Sequence, residues 1–80
     1  MLLHDLPDGA SATVVEVSGT SPEVDAGHLR RLGDLGFLPG EPVRMLRRGP
    51  GGRETLAVLV GDTMMALRGI EARCVRVRKH

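Results

Sequence analysis

The sequence predicts an all-β fold, a small barrel of five or more short strands with one short helix inserted. Three observations lead there. Gly and Pro, 11 and 5 of the 80 residues, stand as punctuation between short apolar runs. Most of those runs are rich in β-branched residues or alternate apolar with polar, and a single stretch carries helical spacing. A chain of 80 residues also hides only about 60% of the surface it exposes when unfolded. Two sheets with separate cores are out of reach, whereas one strongly bent sheet hides both its apolar face and most of its edges.

Taken in order, Ala12-Thr13-Val14-Val15-Glu16-Val17 reads as the first strand, with Asp8-Gly9 before it and Ser18-Gly19 after it as turn signals. Asp25 to Leu35 is the one helix candidate. Asp25 serves as its N-cap, Leu29, Leu32 and Leu35 share a side, and Gly36 supplies a left-handed stop. Gly27 and Gly33 each cost about 1 kcal/mol against Ala in a helix interior, so packing must hold this segment. Val43 to Arg47 and Thr55 to Val60 form a hairpin with Gly49-Pro50-Gly51-Gly52 at its tip. Gly61-Asp62 separates Val60 from Thr63 with Gly first, as a type II′ turn requires, so Thr63 to Leu67 pairs back as a fourth strand. Gly69 to Ala72 reads as a short turn, and Cys74 to Arg78 as a last strand with Val75 and Val77 inward and Arg76 and Arg78 outward. An SH3-like barrel is the economical closure. Residues 1–80 form one domain with no linker or repeat, and Val14, Val17, Leu32, Leu35, Val43, Leu46, Val58, Val60, Leu67, Val75 and Val77 are the expected buried positions.

Composition narrows the function. Hydrophobic residues make up 41% and charged residues 26% of the chain, ordinary values for a globular protein. Phe37 is the only aromatic residue and Cys74 the only cysteine, so stacking platforms, internal disulfides and Cys-x-x-Cys sites are excluded. The N-terminus lacks a signal-peptide pattern and no apolar run is long enough to cross a bilayer, which points to a cytoplasmic protein without direct membrane insertion. A formal net charge of +1 is too near neutral for a dedicated nucleic-acid binder, although Arg73, Arg76, Arg78, Lys79 and His80 crowd the C-terminus.

No catalytic residue, metal ligand set or cofactor motif emerges. His4, His28 and His80 are scattered, and no Ser sits in a nucleophile elbow. Asp25 and His28 at i, i+3 are two ligands and not a site; an N-cap followed by an exposed imidazole explains them. Cys74 fits a small buried strand residue, and Met64-Met65 fits core and rim filler. Gly49 to Arg53 shares only glycine content with a phosphate loop. The remaining candidates are the basic residues Arg30, Arg31, Arg44, Arg47 and Arg48, as a solvated face or as a rim for an acidic partner.

The segment Arg31-Leu32-Gly33-Asp34-Leu35-Gly36-Phe37-Leu38-Pro39-Gly40 resembles the RLxxLGhxPG signature of the FeoA family, where h is apolar. Leu3, Leu6 and Gly9 resemble the family's opening pattern, and Ala66-Leu67-Arg68 with Val75-x-Val77 its later elements, so the resemblance spans essentially the whole chain. Gly33 departs from it, standing where a larger residue is common, and the acidic lead-in from Gly19 to Gly27 is a second place of difference. The resemblance implies an SH3-like barrel acting in ferrous iron uptake beside FeoB, the membrane GTPase permease, through its cytosolic part. It makes Leu32, Leu35, Gly36, Phe37, Pro39, Gly40, Leu67 and Arg68 structural motif positions. Leu38, as an exposed apolar anchor after the helix, with Arg30, Arg31 and Arg44 around it, is the candidate partner-binding surface; the competing reading is that these residues merely close the barrel end. Two alternatives stand beside this one: the SH3-like domain of an iron-responsive transcriptional repressor, which would also need a helix-turn-helix and a dimerisation segment, and a small RNA-binding barrel.

Overall fold

The computed structural model describes residues 1–18, 26–48 and 55–80. Five strands, β1 (Ser11–Val17), β2 (Pro42–Arg48), β3 (Thr55–Val60), β4 (Thr63–Arg68) and β5 (Val75–Lys79), form one antiparallel sheet in the order β4-β3-β2-β1-β5. Two helices interrupt them, α1 (Ala26–Asp34) between β1 and β2 and the single turn α2 (Gly69–Ala72) between β4 and β5. The expected strands are present within one or two residues at each end. The stretch at Gly69 to Ala72, expected to be a plain turn, is helical, and the predicted N-cap Asp25 and the hairpin tip at Gly49 to Gly52 lie outside the described residues.

Two irregularities curl the sheet. The β1–β5 register shifts between Val14 and Glu16, and the β2–β3 register shifts between Met45 and Arg47. Each inserts one residue, Val15 and Leu46, which bends its strand and raises the local twist. The second shift corrects the expected core. Met45 is fully buried and Leu46 only half-buried, because the extra residue breaks the alternation that pointed to Leu46. Val17 and Leu35 are likewise half-buried at the core's margin, while Val14, Leu32, Val43, Val58, Val60, Leu67, Val75 and Val77 are buried as expected.

Among the described residues β4 and β5 share no ladder, so hydrogen bonds alone do not close the barrel. A 3-10 turn at Leu3–Asp5 packs against β5 and α2, and α2 packs against β3 and β4, so the β5 side of the seam is covered by the N-terminal turn and β4 is met by α2. Leu3 and Leu6 are both fully buried there. With one aromatic residue in the chain, the short N-terminal segment supplies volume that a larger sheet would draw from its own strands.

The exit of α1 fixes how Phe37 enters this core. Gly36 takes φ +113°, the Phe37 amide donates to the Leu32 carbonyl (3.1 Å) and the Gly36 amide to the Gly33 carbonyl (3.0 Å). These are the two bonds of a Schellman stop, which characteristically brings the residues at its ends into apolar contact. Those residues are Leu32 and Phe37, both buried. α1 ends at Asp34, one residue before the expected Leu35.

Two glycines, one inside α1 and one at its stop, therefore predict opposite outcomes. A Cβ at Gly33 would meet only Leu38 Cδ2 at 4.0 Å, so Gly33→Ala should stabilise the protein by about 0.5–1 kcal/mol through helix propensity. Gly36→Ala forces a side chain into the left-handed region and should cost about 1–2 kcal/mol. Urea denaturation of both variants checks the pair; equal midpoints would contradict this account of the helix stop.

Candidate functional site

The loop from Gly36 to Glu41 is built so that each residue's bond fixes the next. After the Schellman stop, the Leu38 amide donates to the Gly36 carbonyl (2.8 Å), and the Glu41 amide donates to the Leu38 carbonyl (3.0 Å). The second bond closes a four-residue turn with Pro39 and Gly40 at its centre, Gly40 at φ +91°. Proline then glycine with positive φ is the type II arrangement. The far side is stitched to β1, since the Gly40 amide donates to the Val14 carbonyl (2.8 Å) and the Val14 amide to the Glu41 carbonyl (2.9 Å). Leu38 rides on this frame with 51% of its surface exposed, while its neighbour Phe37 is at 1%. The motif residues Gly36, Phe37, Pro39 and Gly40 thus act as a mount that holds an apolar side chain in water.

A second cluster ties α1 to the end of β4. The Glu71 carboxylate is buried, its Oε1 accepts from the Arg68 amide (2.9 Å), and its Oε2 accepts from Arg31 Nη1 (2.9 Å). Arg68 is the N-cap of α2 and Glu71 stands three residues on, the spacing at which a carboxylate reaches back to the cap amide. An arginine side chain offers no acceptor, so only this half of a capping box forms. Of the two expected motif positions here, Leu67 is buried and Arg68 is exposed. Sequence reasoning missed Glu71. Its one signal was the Arg68-x-x-Glu71 spacing, without the Ser or Thr that makes such a cap conspicuous.

The expected partner-binding residues divide between two places. Arg30 is exposed on α1. Arg31, one residue on, is engaged by Glu71 but keeps 62% of its side chain in solvent. Leu38 packs above Gly33 of the same helix. Arg44 instead lines an open groove of about 250 Å³ on the sheet, beside Pro42, Leu59 and His80.

The chemistry-bearing side chains are dispersed. His4 lies 3.4 Å from Asp5, His28 is on α1, and His80 Nε2 lies 2.6 Å from Thr13 Oγ1. Cys74 is buried and its thiol donates to the Ile70 carbonyl (3.3 Å). Among the described residues no group of three or more His, Cys, Asp or Glu is placed to hold a metal ion, and no helix is long and apolar enough to cross a membrane.

A protein-family model described as the FeoA domain matches residues 1–79. Among solved structures, the zinc-complexed FeoA of Stenotrophomonas maltophilia is 45% identical over 96% of this chain and 88% of its own, with a TM-score of 0.82. That protein is described as a prokaryotic SH3 domain protein and a candidate ferrous iron transport activating factor. The FeoA protein of Chlorobium tepidum is 32% identical over 99% of this chain and 70% of its own, with a TM-score of 0.80. A manganese-dependent transcriptional repressor is 21% identical over all of this chain and 41% of its own, with a TM-score of 0.79, a likeness of fold alone. A comparison with curated proteins gives no significant match.

The Glu71 cluster yields a stability prediction. Glu71→Ala removes the acceptor from the Arg68 amide and from Arg31 and should cost about 1–3 kcal/mol. Glu71→Gln keeps an oxygen for the amide and should cost less, because the largely exposed Arg31 contributes little through its charge. Chemical denaturation measures both, and an alanine variant as stable as the parent would remove Glu71 from its structural role.

Proposed function

We propose that this chain, which belongs to the FeoA family, is a non-enzymatic accessory protein of bacterial ferrous iron uptake that binds the cytosolic part of the membrane GTPase permease FeoB from the cytoplasm. The observation that carries this reading is the mounting of Leu38. A half-exposed leucine costs solubility and adds little to the core, yet the Schellman stop, the type II turn and the bonds to Val14 hold it in one place. A backbone held in place before binding loses little further entropy when a partner covers the side chain it carries, which favours affinity.

Leu38 is the anchor of the proposed patch, with Arg30 and the exposed part of Arg31 as its polar rim. Apolar anchors ringed by arginine are characteristic of interface centres. Arg44 lines the sheet groove and is left out of this patch. Such a protein acts on a GTPase by binding one of its conformations more tightly than another, and the difference in affinity sets the size of the effect.

Capture of the permease's cytosolic domain tests the proposal. Wild type should bind, Leu38→Asp should weaken binding about tenfold or more, and Arg30→Glu should weaken it about threefold. Arg31→Glu is unsuitable, because it would set a second carboxylate against the buried Glu71. If variants that remain folded by circular dichroism bind as well as wild type, the surface is misassigned; if wild type itself ignores the transporter, the functional proposal fails.

A further inference from the structure

The two edges of the sheet are treated oppositely. The outer edge of β5 is covered by the N-terminus: Leu2 bridges to Arg76, the Val77 amide donates to the Met1 carbonyl (2.8 Å), and the Met1 amino group donates to the Val77 carbonyl (3.3 Å). That strand also carries Arg76, Arg78 and Lys79, and charge is a common deterrent to edge pairing. Between Thr63 and Leu67, β4 has neither protection. From Thr63 to Leu67 it contains no charge and no proline, and its register with β3 runs without a bulge.

The free groups on this edge can be identified. Val60 and Thr63 close the two-residue turn, Gly61 has φ +58°, and every described non-glycine residue keeps negative φ, which is the type II′ hairpin. The amide of Arg68 turns away from β3, because it donates to Glu71. By the alternation of an antiparallel ladder, the amides and carbonyls of Met64 and Ala66 face the same open side. Among the described residues no backbone bond reaches them, and beyond β3 the main packing on β4 comes from α2. Met64 is 70% exposed and Ala66 is exposed beside it.

We propose that the β4 edge pairs antiparallel with β4 of a second copy of this chain, about a two-fold axis through Met65. In this register Met64 lies opposite Ala66 of the partner copy, and four backbone bonds form between these residues and their symmetry mates. The same register sets Asp62 opposite the other copy's Arg68, twice, on the outer face where both residues are exposed. A shift of two residues in either direction loses both charge pairs. One shift brings the two Met64 side chains together, and the other asks for the Arg68 amide that Glu71 already holds. Large beside small and acid beside base make the strand complementary to itself. The interface is small, so the association is weak and depends on concentration.

Analytical ultracentrifugation and amide exchange between roughly 10 µM and 1 mM, the range where weak pairs form, test this directly. The sedimenting mass should rise toward twice that of the monomer, and the Met64 and Ala66 amides should become about tenfold better protected at the higher concentration. Ala66→Pro deletes a free-edge amide while sparing the β3 ladder and should abolish association. Asp62→Lys and Arg68→Asp should each weaken it about fivefold, and the double variant, which restores opposite charges in exchanged places, should recover it. A monomer at every concentration overturns the proposal, as does a dimer indifferent to both Ala66→Pro and the charge exchange. Protection of the two amides only on adding the permease's cytosolic domain would also overturn it, by assigning the edge to a partner strand.

Discussion

The buried Glu71 carboxylate sets the terms for the rest of the fold. A charge removed from water is costly unless hydrogen bonds and an opposite charge offset the loss, and here the Arg68 amide and the Arg31 guanidinium do so. No buried side-chain nitrogen or oxygen among the described residues lacks a partner. Satisfying Glu71 links two junctions. The turn α2 begins where β4 ends, and α1 lies where Arg31 can reach.

Economy of volume explains the other arrangements. Without Trp or Tyr, the barrel is filled by aliphatic side chains and one phenyl ring, and the largest fully buried residues after Phe37 include Leu3 and Leu6 from outside the sheet. The N-terminal segment therefore has two roles, filling space against β5 and α2 and covering the outer edge of β5. The bulges at Val15 and Leu46 let a sheet of short strands wrap this small interior, at the cost of clean alternation in both strands.

This division of labour leaves a rigid body with two distinct surfaces. One is an apolar side chain on a hydrogen-bonded loop, where local geometry is fixed before any partner arrives. The other is the β4 edge, where among the described residues no backbone bond reaches Met64 and Ala66 from the open side. The first suits recognition of a shaped partner surface through side chains, the second suits pairing through the main chain.

The sequence by itself determined the strands, the single long helix, the type II′ turn and the Gly36 stop, because each is a local event written in two to nine adjacent residues. It also determined that Val75 and Val77 face inward and that Leu38 follows a break, since alternation and turn chemistry are short-range rules. Tertiary structure alone decided that Met45 and not Leu46 is buried, because a bulge depends on which strand lies opposite. It alone decided that Arg31 serves Glu71, a pairing across 40 positions of chain, and that Arg44 faces a groove apart from Arg30. The protection of one sheet edge and the openness of the other were equally out of local reach, since strand order is fixed by how the whole core packs and no single segment encodes its own neighbour.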